Sequence, residues 1–177
     1  MKLPKLILPL LIALLLLLIL LFVPFRTALV FYKENTSTVE ALLPIKQGET
    51  FQIIFKHSIH LTDVVEKYKI TSDLNIQQYE FVYEEFGIGM PSNAEEGETF
   101  EYIDGKYYIK NMSNIFPTMN IRNGKTVSEH RLVWGTEENE EAHMVWFNDY
   151  FEPGAWFTVK VERLSLWDYL KGVKIHE

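Results

Sequence analysis

From Leu6 to Phe25 the chain carries no charged residue and consists of Leu, Ile, Ala, Val and Phe interrupted by Pro9 and Pro24. A stretch of about 20 apolar residues rising about 1.5 Å each covers about 30 Å, the thickness of a bilayer's hydrocarbon core. Pro9 falls in the first turns, where its missing N–H costs little, and Pro24 with Arg26 marks the helix exit. A cleaved signal peptide fits less well. Its apolar region would be shorter, and cleavage after Ala28 would put Arg26 where a small residue is required. The reading is an uncleaved signal-anchor: a cytoplasmic tail over 1–5, a transmembrane helix over 6–25, a linker over 26–37 and an extracytoplasmic β-rich domain over 38–177. Lys2 and Lys5 precede the run while Arg26 and Lys33 follow it, so charge alone orients it weakly. The short tail decides, placing it inside and the C-terminal domain outside.

From Phe31 onward the pattern changes to short runs of Val, Ile, Phe, Tyr, Trp and Thr separated by turn residues. Strands are predicted over 39–43, 50–59, 64–71, 75–86, 106–111, 118–122, 129–134, 143–150 and 155–166. Asp104-Gly105 and Asn123-Gly124 are dipeptides suited to two-residue hairpin turns, in which both central residues take positive φ. In the last strand Phe157, Val159 and Val161 alternate with Trp156, Thr158, Lys160 and Glu162, one apolar face against one wet face. Such alternation predicts an all-β fold, an antiparallel β-sandwich or open barrel preceded by one transmembrane helix. "LWDYLKGV" near the end is read as a short helix, and Trp134, Trp146, Trp156 and Trp167 as core.

Residues 31–177 hold 14 Lys and Arg against 24 Asp and Glu, a net charge of 14 − 24 = −10. Nucleic acid is therefore not an expected partner, because such a surface repels a phosphate backbone. The absence of Cys excludes disulfides, thiolate metal ligands and a Cys nucleophile.

"KHSIHLTDVVEKYKI", residues 56–70, spaces His57, His60, Asp63 and Glu66 at intervals of three. On a helix each step of three turns about 300°, so the four side chains would not converge on one ion. The β-branched residues around them favour a hairpin instead. With the turn centred on Leu61-Thr62, His60 faces Asp63 and His57 faces Glu66, two cross-strand imidazole–carboxylate pairs of ordinary kind. Ser58 beside His57 makes no nucleophile pair, since strand neighbours face apart and no strained elbow is present. "GIGMPS", 87–92, resembles half of a phosphate-binding loop but leads into no helix; it reads as a tight turn in which Gly87 or Gly89 takes positive φ and Pro91 stiffens the exit. The acidic stretches "NAEEGETFEYID" and "GTEENEE" lack calcium-loop spacing and read as solvated loops. Asn35-Thr36-Ser37 and Asn111-Met112-Ser113 fit the glycosylation triplet.

The block "LLPIKQGETFQIIFKHSIHLTDVVEKYKI" followed by "EEFGIGMP" resembles the domain-of-unknown-function family numbered 1850, small bacterial proteins with an N-terminal hydrophobic segment. The family's first block typically reads His-Ser-Val-Glu, then Thr-Pro and a Glu, and its second Gly-Ala-Gly-Leu-Pro. The matching positions here are His57, Ser58, Thr62, Glu66, Gly87, Gly89 and Pro91, while His60 and Asp63 stand where the usual Glu and Pro would be. The resemblance implies an accessory protein at the outer membrane face, since relatives are often encoded beside TRAP-type solute transporters of the TAXI class. Together these readings predict a membrane-anchored, non-enzymatic accessory or binding module, with His57, Ser58, Glu66, Gly87, Gly89 and Pro91 as candidate ligand-binding residues. Its expected partners are the membrane through the N-terminal helix, a transporter subunit and a small-molecule ligand. No catalytic residue, metal or cofactor is assigned. The competing reading is a metal-assisted or acid–base enzyme using His57 with Glu66.

Overall fold

The computed structural model describes residues 7–87, 89–127, 129–135 and 142–176. The tail over 1–5 and most of the acidic loop "GTEENEE", 136–141, lie outside the described residues.

The N-terminal helix α1 spans Ile7–Phe22, 16 residues with no buried side chain. It is shorter than the predicted 6–25 because the chain leaves the helix before Pro24, whose ring disfavours α conformation in the residue ahead of it. No helix among the described residues is long and apolar enough to cross a membrane.

The remainder is mostly antiparallel β structure in two sheets. The strands are β1 (Arg26–Lys33), β2 (Val39–Pro44), β3 (Thr50–Lys56), β4 (Asp63–Ile70), β5 (Ile76–Tyr83), β6 (Thr99–Ile103), β7 (Lys106–Phe116), β8 (Met119–Arg122), β9 (Arg131–Trp134), β10 (His143–Trp146), β11 (Trp156–Leu164) and β12 (Val173–Lys174). One sheet runs β12-β2-β1-β11-β8 and the other β10-β9-β3-β4-β5-β7-β6. β12 pairs with β2 in parallel, a local departure from the all-antiparallel expectation. Helix α2 (Leu166–Lys171) follows β11, as "LWDYLKGV" predicts, and Ser165 caps it by accepting from the Asp168 N–H at 3.1 Å.

A common core joins the sheets. Leu29, Phe31, Phe157 and Val159 from the first meet Phe51, Ile53, Tyr68, Ile70, Ile76 and Leu132 from the second. The alternation in β11 is as predicted, with Phe157, Val159 and Val161 buried. The linker reading of 26–37 is corrected for its first eight residues, because β1 is an interior strand of its sheet, between β2 and β11. It is covered on both faces. Leu29 and Phe31 enter the common core, whereas Ala28 and Val30 pack with Leu42 and Leu164 on the opposite side, against Tyr169 of α2.

Two further expectations are corrected. Asp104 (φ 51°) and Gly105 (φ 83°) do form the two-residue β6–β7 turn. Asn123-Gly124 does not form one. Asn123 instead continues the pairing beyond β8, donating its N–H to the Ala155 carbonyl at 2.9 Å and accepting from the Gly154 N–H at 2.9 Å. Of the tryptophans, Trp134 packs against the core, but Trp146, Trp156 and Trp167 are each 40% exposed or more. They face outward under cations: Arg131 lies 5.4 Å from the Trp146 ring, Arg122 5.7 Å from Trp156 and Lys171 4.6 Å from Trp167.

Candidate functional site

β3 and β4 form the predicted hairpin, but the loop spans 57–62 and the register differs. Ile53 faces Glu66 where His57 was expected, a slide of 57 − 53 = 4 positions along β3. The loop closes by His57 N–H donating to the Thr62 carbonyl and Leu61 N–H to the His57 carbonyl, both at 2.9 Å, with Leu61 held at φ 58°. This tight fold-back removes His57 and His60 from the ladder. The expected imidazole–carboxylate pairs are thus replaced: Asp63 pairs with Arg131 at 2.5 Å, and Glu66 accepts from the Tyr68 hydroxyl at 2.8 Å.

His57 is buried, and its Nδ1 accepts from the N–H groups of Ile59 and His60, both at 3.3 Å. Its ring stacks on His60 with centroids 4.9 Å apart. Gly87 lies directly against this pair. A Cβ there would sit 2.5 Å from His60 Nε2 and 3.3 Å from His57 Cε1, so close approach explains the glycine. Gly89 has the positive φ, +88°, that the turn requires. The Pro91 carbonyl accepts a short hydrogen bond from the buried Tyr83 hydroxyl of β5. The two sequence blocks therefore meet through His57, His60 and Gly87, and Tyr83 ties down the turn's exit. Ser58 is exposed in the loop. Gly87→Ala is expected to push the His60 ring aside and cost about 1 kcal/mol, with His60 ring proton shifts moving while the core signals stay.

Glu66 lies elsewhere, on the inward face of β4 with Val64, Tyr68 and Ile70, facing a cavity of about 390 Å³ between the sheets. Ile53, Phe55, Phe116 and Ile121 supply apolar wall, and Gln78 and His130 add polar groups. Burial pushes the Glu66 carboxyl pKa up, opposed by the Tyr68 hydrogen bond. Burial also raises the Tyr68 phenol, reinforced by the adjacent Glu66 charge. His130 stacks on Phe55 with centroids 5.4 Å apart, and its Nδ1 accepts from the Gly124 N–H at 3.2 Å. Burial drives its pKa down to about 4, so the ring is neutral at pH 7.

Sequence reasoning singled out Glu66 but missed Tyr68, Gln78 and His130. The available signal was the face made by Val64, Glu66, Tyr68 and Ile70, on which a carboxylate interrupts an apolar row. The acid–base pairing of His57 with Glu66 does not appear, for His57 stacks on His60 and Glu66 bonds Tyr68. Among the described residues no group of three or more His, Asp or Glu is placed to hold a metal ion.

The lowered His130 pKa carries a stability consequence. The folded value, about 4, lies below the ordinary 6.5, so the contribution is complete above pH 6.5 and is lost as pH falls through the folded value. Allowing for solvent at the ring edge, about 2 kcal/mol should disappear across that window. Glu66 acts with the opposite sign over the same range, so the readout is the comparison: between pH 4.5 and pH 7, urea denaturation should show stability rising more in wild type than in His130→Phe.

A family model described as Domain of unknown function (DUF1850) matches residues 51–140, from the β3–β4 hairpin through the Gly87–Pro91 turn and beyond β9. No curated protein and no solved structure matches the chain.

Proposed function

Since the chain belongs to the DUF1850 family, whose name assigns no activity, we propose a role from its own geometry: a β-domain held at a membrane by its N-terminal segment and serving there as a non-enzymatic binding or accessory module. The observation that carries this reading is α1. Its Leu and Ile side chains are exposed around the whole helix, with residues such as Leu8, Leu10 and Leu20 at 60% or more. A continuous apolar surface of that kind needs lipid or a partner to cover it.

The helix exit supports a lipid interface. Phe22 packs on Trp167 at 6.1 Å, the Arg26 guanidinium lies 4.8 Å from the Tyr169 ring, and Lys171 lies over Trp167. Aromatic and basic side chains of this kind collect where a chain leaves a bilayer. At about 1.5 Å per residue, 16 residues reach about 24 Å, so crossing the core requires the rest of the apolar run, including Val23 to Phe25.

The domain then stands outside the cytoplasm, where a solute transporter subunit is the proposed partner. Protease added to intact cells should digest the C-terminal domain, and a transporter subunit should co-purify in mild detergent. Survival of the domain would reverse the topology, and repeated recovery of the chain alone would remove the partner.

A further inference from the structure

The inter-sheet cavity holds a carboxylate whose surroundings are incomplete. Glu66 Oε2 accepts from Tyr68, but among the described residues no hydrogen bond reaches Oε1 and no cation pairs with the group. Glu66 is half-buried, so Oε1 is open to the cavity, and a partly desolvated carboxylate without a counter-charge gains from a cation that reaches it. Arg122 borders the cavity, yet its guanidinium is placed over Trp156. His130, the other titratable ring at the wall, is neutral at pH 7 and so does not oppose an incoming cation. The remaining wall is mixed: Phe55, Tyr68 and Phe116 give it an aromatic side, and Gln78, Thr118 and Asn120 add uncharged polar groups.

We infer that this cavity binds a small organic ammonium ion, its nitrogen donating to Glu66 Oε1 and its apolar body lying against Phe55, Tyr68 and Phe116. The volume, about 390 Å³, falls in the lower part of the range of about 300–1,000 Å³ usual for small-ligand sites. Aromatic rings near the carboxylate add cation–π attraction to the ion pair. The negative charge of the domain raises the local concentration of cations over anions. The inference rests on the binding-module reading but not on membrane attachment.

The test titrates the full-length protein in detergent with benzylammonium, benzyl alcohol and benzoate at pH 7, read by isothermal titration and by shifts of the Tyr68, Gln78 and His130 signals. Benzylammonium should bind at least about tenfold more tightly than either analogue, with shifts confined to the cavity. Glu66→Gln keeps the shape of the side chain and an acceptor for Tyr68, and should abolish that preference while the thermal midpoint at pH 7 does not fall below that of wild type. Equal binding of benzylammonium and benzyl alcohol, or unchanged benzylammonium affinity in Glu66→Gln, would overturn the cation while leaving a binding module in place. Failure of all three probes to bind would overturn the cavity as a ligand site, and the transporter co-purification would then be the remaining test of the module.

Discussion

Asn123→Ala should lower stability by about 3 kcal/mol, visible as a drop of about 10 °C in the thermal midpoint. The side chain is 1% exposed, and its single Nδ2 group donates toward Asn148 Oδ1 at 2.9 Å and the carbonyls of Phe151 and Glu152 at 3.2 and 3.1 Å. These bonds hold the 147–155 segment, which delivers Phe147 and Phe151 to the common core. Truncation leaves acceptors without their donor and loosens the two rings together. Asn123→Asp should be at least as harmful above the carboxyl pKa, because it sets a charged acceptor against other acceptors. Thermal melts of the two variants beside wild type check the ordering.

Glu66→Gln should act in the opposite direction, raising stability at pH 7. Burial raises the folded pKa above the ordinary 4.5. The contribution of Glu66 is therefore fully present below pH 4.5 and is lost as pH rises through the folded value. A neutral amide does not suffer that loss, so the variant's advantage should vanish at pH 4 and grow toward neutrality. Denaturant midpoints at pH 4 and pH 7 measure it. A variant less stable than wild type at pH 7 would mean that the carboxylate is better compensated than its surroundings indicate.

Strands exposed on one side were legible in the sequence. β11 and the β3–β4 hairpin announce themselves by alternation or by β-branched runs around turn residues. β1 was read as a linker for the opposite reason. Ala28, Leu29, Val30 and Phe31 are all buried, so the strand is an unbroken apolar run directly behind the N-terminal one. The outward tryptophans were misread because indole size suggests burial, whereas a flat ring with a cation over it is also stable at the surface.

The site was legible in part. His57 and Gly87 were singled out separately, and their contact depends on a long-range approach that no local pattern encodes. The hairpin register was missed because the His57 and Leu61 backbone bonds build a six-residue loop, which spacing alone does not select over a two-residue turn. His130 reaches the cavity from just ahead of β9, far in sequence from Glu66, so their shared wall follows from sheet topology.

Membrane attachment through the N-terminal segment is tested most directly by an alkaline carbonate wash of membranes carrying either wild type or Leu14→Arg/Leu18→Arg. Wild type should stay in the pellet. The doubly charged variant should move to the supernatant with the β-sheet circular dichroism of its domain intact, since both substitutions lie in α1 on exposed positions. Release of wild type by the wash, or retention of the variant equal to wild type, would contradict a lipid-held domain.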